Sequence, residues 1–217
     1  MPNQPTGYNE GDIRGIDVSH FQGVINWQRV SASNVAFAFT KATDGVGAQD
    51  TFFTANYASI KSNGILRGAY HFFRPQLDAK AQADSFLHVV KQLEPGDLPP
   101  AIDVEVDGGK SASLIVKGVT TWIAEVEQAL GRTPIIYTNA SFWNSQVGGS
   151  SAFSEHPLWV AHYTSKPKPN IPQGFANYTI WQFTSLGVSA VNGISGAGLD
   201  LDRFNGTLDD LRKLAGL

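Results

Sequence analysis

The 217-residue chain contains no cysteine, which excludes a disulfide scaffold, a thiol nucleophile and a cysteine-ligated metal. Charge is scarce as well: 16% of the residues are Asp, Glu, Lys or Arg, and the net charge is −3. A chain this poor in charge and 42% apolar is neither a disordered polymer nor a coiled coil. Without a basic excess it has no electrostatic footprint for a phosphate backbone, so nucleic acid is excluded as the main ligand. No apolar run approaches the ~20 residues of a membrane span. The start, Met1-Pro2-Asn3-Gln4-Pro5, lacks the basic and apolar regions of a signal peptide. The five histidines show no zinc-type spacing, no serine sits in a Gly-x-Ser-x-Gly elbow, and Gly193–Gly198 precedes a strand rather than opening a helix. What remains is a globular chain long enough to bury roughly 70% of the surface its unfolded form exposes.

Residues 1–12 are polar and rich in Pro and Gly, and read as a flexible arm. Beyond them eight short apolar runs recur, each bounded by turn residues: Ile13–Ser19, Val35–Ala42, Leu66–Phe73, Pro100–Val106, Pro134–Asn139, Leu158–Tyr163, Tyr178–Thr184 and Gly198–Phe204. Runs such as Val35-Ala36-Phe37-Ala38-Phe39 are apolar on nearly every position, which favours a parallel sheet covered on both faces. Helical spacing of apolar residues predicts helices over Thr51–Lys61, Ala79–Gln92, Ser113–Leu130 and Leu208–Leu214. The stride between strands runs at roughly 20 to 35 residues through the fifth strand, enough for a crossover helix. It then shortens to about 20, and those gaps hold no clear helical pattern. The prediction is an α/β fold, a modified TIM-type barrel stripped of helices in its final third, forming one domain over 13–217.

Residues two apart on a strand share a face. Asp103 and Glu105 therefore point one way while Ile102, Val104 and Val106 pack the other. Burying two acids costs stability unless they are solvated in a pocket or working; the alternative is an N-cap with a surface ion pair. Asp17 ends the first strand, and Asp200 and Asp202 lie on the last. Closing a barrel brings the first and last strands together, so Asp17 and Asp200 should approach at an acidic mouth, where barrel enzymes keep their sites. Tyr70, Phe72, Tyr137, Trp159, Tyr163 and Trp181 sit at successive strand ends. Singly such residues are core; together they describe a groove that stacks sugar rings. Acids for the bond and aromatics for the rings describe a glycosidase.

At this point the sequence resembles the glycoside hydrolase family 25 lysozymes, or Chalaropsis-type muramidases, over nearly all of Ile13–Phe204. The resemblance rests on Gly15-Ile16-Asp17-Val18-Ser19-His20-Phe21-Gln22-Gly23, Phe39-Thr40-Lys41-Ala42-Thr43-Asp44-Gly45, Arg67-Gly68-Ala69-Tyr70-His71-Phe72 and Asp103-Val104-Glu105. Ile136-Tyr137-Thr138-Asn139, Leu158-Trp159-Val160-Ala161, Trp181-Gln182-Phe183 and Leu199-Asp200-Leu201-Asp202-Arg203-Phe204 follow in order. Asn26 departs from a frequent Asp. The resemblance implies a (β/α)₅β₃ barrel that hydrolyses the β-1,4 bond between N-acetylmuramic acid and N-acetylglucosamine in bacterial peptidoglycan, without cofactor or metal. It implies Glu105 as general acid, Asp103 as the partner of the substrate's 2-acetamido group or as direct nucleophile, and Asp17 and Asp200 completing the acidic site. Tyr70, Tyr137, Trp159, Tyr163, Trp181 and Asp202 are the expected substrate-binding residues. A monomer acting on the cell wall, outside the cell and without a membrane partner, is the expectation.

Same-strand acids two residues apart have Cα atoms roughly 6.5 to 7 Å apart, between the carboxyl separations of retaining and inverting enzymes. Three rivals stay open. A chitinase-like barrel resembles a longer Asp-x-Asp-x-Glu run, but Ala101 stands two before Asp103. A metal-dependent hydrolase would use the four acids for a hard cation and lose activity in chelator. A non-catalytic glycan binder would keep the groove and tolerate Glu105→Gln.

Overall fold

A computed structural model describes residues 4–196 and 198–217. The apolar runs become β1 (Ile13–Val18), β2 (Val35–Asp44), β4 (Leu66–Phe72), β5 (Ala101–Asp103), β6 (Ile135–Asn139), β7 (Leu158–Ala161), β8 (Ile180–Thr184) and β9 (Asp200–Phe204), with a short β3 (Ala48–Gln49) folded back on β2. The strand order β1-β9-β8-β7-β6-β5-β4-β2 closes through a β1–β2 pairing, so eight strands form a barrel. Seven run parallel. The eighth, β9, is antiparallel to both β1 and β8, which corrects the expected parallel sheet. A run that alternates acid and apolar carries no mark of its direction, and the segment between Thr184 and Asp200 is long enough for either a crossover or a return to the same end.

Helices α1 (Trp27–Ser31), α2 (Phe53–Ser62), α3 (Ala79–Val89), α4 (Ala112–Leu130) and α5 (Ala140–Gln146) alternate with the first five barrel strands, and α6 (Leu208–Leu214) follows the last. The barrel is thus (β/α)₅β₃, with only a 3₁₀ turn (Gly187–Ser189) between β8 and β9. Ile115, Val119, Trp122 and Val126 form the buried stripe of α4, and Gly131 ends it in the left-handed conformation (φ 66°). The short α1 and α5 were not expected: five and seven residues are too few to show a helical period.

Strand alternation separates two kinds of core. Ile16, Val18, Ala38, Leu158, Val160, Trp181, Phe183 and Leu201 face outward in one cluster, and Ile102, Val104 and Ile136 face α3 and α4 in another. Phe37, Phe39, Ala101, Ile135, Tyr137, Trp159, Ile180 and Phe204 fill the barrel interior, closed at the floor by Leu211 of α6 and by Ala215, which caps that helix. Two phenylalanines fit because glycine stands opposite: a Cβ on Gly15 would lie 2.1 Å from the Phe37 ring, and one on Gly68 would lie 2.2 Å from Phe39. Residues 4–12, expected as a flexible arm, touch the barrel. The Tyr8 hydroxyl donates to the Gly15 carbonyl, its ring meets Phe183 edge-on, and Asp12 pairs with Arg203 at 2.8 Å. Among the described residues no helix is long and apolar enough to cross a membrane.

Candidate active site

The parallel strands β1 to β8 deliver their C-terminal ends to one mouth, and β9, reversed, delivers its first residue there. Asp17 lies directly across from Asp200 in the β1–β9 register. Asp103 is the last residue of β5, and Glu105 follows in the loop rather than on the strand. The parity nevertheless continues, because Val104 is anchored. Its side chain is buried among the α4-facing residues, its N–H donates to the Tyr137 carbonyl (2.9 Å), and its carbonyl accepts from Thr138 Oγ1 (2.8 Å). The groove is lined by Asp17, Asp103, Glu105 and Asp200, by Tyr70, Tyr137, Trp159 and Tyr163, and by Phe21, Lys41, Phe72 and Gln182. Asp103 is buried and Glu105 is exposed to the groove.

Two expected binding residues lie elsewhere. Trp181 has the opposite parity to Gln182, packs outside the barrel and donates its Nε1–H to the His162 carbonyl (2.9 Å). Both faces of Ile180-Trp181-Gln182-Phe183-Thr184 are covered, so the sequence gives no sign of which is the interior. Asp202 has interior parity but sits one layer below Asp200, wholly buried, where its Oδ1 accepts from Trp159 Nε1 (2.8 Å).

Gln182 was not singled out as a site residue. It is buried at the centre of the floor: its Oε1 accepts from the Tyr137 and Tyr163 hydroxyls, both at 2.8 Å, and its Nε2 donates to Asp17 Oδ2 at 2.8 Å. A polar residue inside an otherwise apolar strand was its available signal. Lys41 and Arg74 share Asp44 (2.8 and 2.7 Å) and both lie against the Phe72 ring.

The acids do not behave as ordinary carboxylates. Burial, reinforced by Asp200 and Asp202, holds Asp17 well above the usual range, and Gln182 opposes this only in part. Burial and the neighbouring Glu105 charge hold Asp103 well above it too. Burial raises Glu105, against the pull of Lys41 and Arg74. Asp200 is pushed up to about 6, chiefly by burial. Burial likewise keeps Asp202 high, helped by the Asp200 charge and opposed in part by the Trp159 hydrogen bond. Asp103 Oδ1 is buried and has no hydrogen-bond partner among the described residues. The result is an aromatic-walled groove able to hold protons on carboxyl groups near neutral pH, the arrangement that general acid catalysis requires. Among the described residues no three His, Asp or Glu side chains are grouped to hold a metal ion.

The sequence model of the glycosyl hydrolases family 25 matches residues 16–192. The chain belongs to that family. It is a glycoside hydrolase. It is similar to lysozyme M1 of Streptomyces globisporus, 38% identical over 213 residues that cover 94% of this chain and 71% of that protein. The N,O-diacetylmuramidase of Chalaropsis sp. is 31% identical over 94% of this chain and 99% of its own length. Among solved structures, the bacterial lysozyme from Streptomyces coelicolor superposes with a TM-score of 0.89 at 36% identity, covering 95% of this chain and 98% of that one. The family match takes in β1 through β8 and ends before β9, while the similarity to these relatives covers 94–95% of the chain.

Proposed function

We propose that the enzyme is a lysozyme, a 1,4-β-N-acetylmuramidase that cuts the β-1,4 bond between N-acetylmuramic acid and N-acetylglucosamine in bacterial peptidoglycan. The observation that carries this reading is the pair at the end of β5. Asp103 is buried with a carboxyl oxygen that has no donor among the described residues, and Glu105 is at the rim of the same groove. A buried acceptor of that kind suits a substrate N–H, and a raised, accessible carboxyl suits a leaving oxygen.

In the first step Glu105 gives its proton to the glycosidic oxygen as the bond to the anomeric carbon breaks. The carbonyl oxygen of the muramic acid 2-acetamido group closes on that carbon, while Asp103 accepts the acetamido N–H and stabilises the positive charge that forms. In the second step ionised Glu105 takes a proton from water, whose oxygen bonds to the anomeric carbon as that carbon's bond to the acetamido oxygen breaks, restoring the 2-acetamido group and the starting configuration. No protein nucleophile is needed, and the sugar leaves with retained stereochemistry. Tyr70, Tyr137, Trp159 and Tyr163 supply apolar faces and hydroxyl groups for the sugars. The enzyme works as a monomer on the cell wall, outside the cell.

Purified peptidoglycan is digested, the products are reduced with borohydride, and the reduced sugar is identified by mass spectrometry. The expected product is reduced muramic acid, and Glu105→Gln should lower the rate by about 10²–10⁴-fold. Reduced glucosamine would move the cut to the other bond and overturn the reading. Full activity of Glu105→Gln would remove Glu105 from the reaction.

A further inference from the structure

Gln182 makes three hydrogen bonds whose directions are not free. Its amide faces Asp17 Oδ2 at one end and two phenol oxygens at the other. The structure places the nitrogen on Asp17 Oδ2 and Oε1 on both hydroxyls, an arrangement in which Asp17 carries any proton on its other carboxyl oxygen and Oε1 receives both hydroxyl protons. A phenol has one proton to give. Tyr163 lies 3.4 Å from Asp200 Oδ1 but 2.8 Å from Gln182, so its proton is directed to the amide. Burial and the surrounding acids push both phenols up, and neither loses its proton near neutral pH.

From this geometry we infer that Gln182 is a positioning residue that sets the polarity of the groove floor. By taking the protons of Tyr137 and Tyr163 it leaves their phenol oxygens facing substrate as hydrogen-bond acceptors, while its nitrogen fixes Asp17. The inference rests on the reading of the groove as a sugar site and specifies which sugar groups the floor recognises. Asp17, Asp103 and Asp200 add acceptor oxygens at the same place, while Lys41 beside Phe72, the Tyr70 hydroxyl and Glu105 line the groove as donors. The part of the groove around Gln182 therefore favours a sugar face rich in O–H and N–H. Removing the amide frees the two hydroxyls to turn their protons into the groove, where they compete for the wrong partners.

The test uses Gln182→Met, which keeps length and volume, Gln182→Glu, which keeps an acceptor for both phenols, and Tyr137→Phe/Tyr163→Phe. On soluble peptidoglycan fragments Gln182→Met should raise KM about tenfold and lower kcat through loss of the Asp17 contact. In the double-phenylalanine background the same change should still lower kcat but alter KM less than twofold, because its effect on binding runs through the hydroxyls. Gln182→Glu should hold KM near wild type and lose kcat. Independently of turnover, proton NMR should show two slowly exchanging tyrosine hydroxyl protons, retained in Gln182→Glu and lost in Gln182→Met. KM effects that multiply instead of overlapping, or the absence of those resonances in the wild type, would overturn the role of Gln182. A wild type with both resonances but no release of muramic acid ends would instead sink the muramidase reading, and with it the sugar specificity inferred here.

Discussion

Asp97 and Asp103 are both buried, and they occupy opposite ends of the barrel. At the floor, Asp97 receives Arg67 through Nε (2.7 Å) and a terminal nitrogen (3.0 Å), Lys61 at 3.4 Å, the Tyr57 hydroxyl and the Glu94 backbone N–H. Burial by itself would raise its pKa, but these donors outweigh burial and hold it below the usual range. At the mouth Asp103 has one oxygen with no partner and an acid as its neighbour, and its pKa goes up. The same side chain is a paired anion at one end and, deeper in the protein and beside another acid, a carboxyl of raised pKa with an unfilled acceptor at the other. Pairing and desolvation together make the difference.

Breaking the floor should have the largest effect on the fold. Asp97→Ala leaves the Arg67 guanidinium half-sequestered without its bidentate partner, and should cost about 3–5 kcal/mol in a urea titration. The specific activity of the folded fraction should not change; a loss of turnover without a loss of stability would erase the division between the two ends. The mouth should behave in the opposite sense. An acid whose folded pKa lies above its unfolded one stabilises at low pH, and that contribution is lost as pH rises through the folded pKa. For Asp200, raised from 3.8 to about 6, about 2–3 kcal/mol is lost between pH 4 and pH 6. Asp200→Asn should therefore flatten the fall of Tm across that window and raise Tm at pH 7, while lowering activity. An unchanged slope would show that Asp200 is not one of the strained acids. The smallest effect belongs to the rim. Phe21 lines the groove at 72% exposure against the His20 ring, with centroids 4.1 Å apart. Phe21→Ala should raise KM about fivefold, on the order of 1 kcal/mol, with Tm unmoved.

Much of this contrast could be read along the chain before folding. The spacing of apolar runs places eight strands, and the shortened final stride anticipates the missing helices after β7. Parity puts Asp103 and Glu105 on one face, and barrel closure puts Asp17 opposite Asp200. The direction of β9 was not legible, since strand pairing is settled by connection geometry rather than by composition. Trp181 and Gln182 were exchanged because both faces of β8 are covered and either parity would bury apolar groups. Asp202 was assigned to the groove because strand position gives the face but not the layer. The floor network went unnoticed for a different reason: Tyr57, Lys61, Arg67, Glu94 and Asp97 come from three separate segments, and only the fold assembles them.

The reversal of β9 also governs how the enzyme could be mounted on a solid support. That strand starts at the mouth and ends at the floor, where α6 carries the last described residues beneath the barrel. A linker joined at Leu217 would leave from the side opposite the groove. A particle or resin coated through that end would present every catalytic face outward, toward an approaching cell, with the anchor out of the path of the glycan strand.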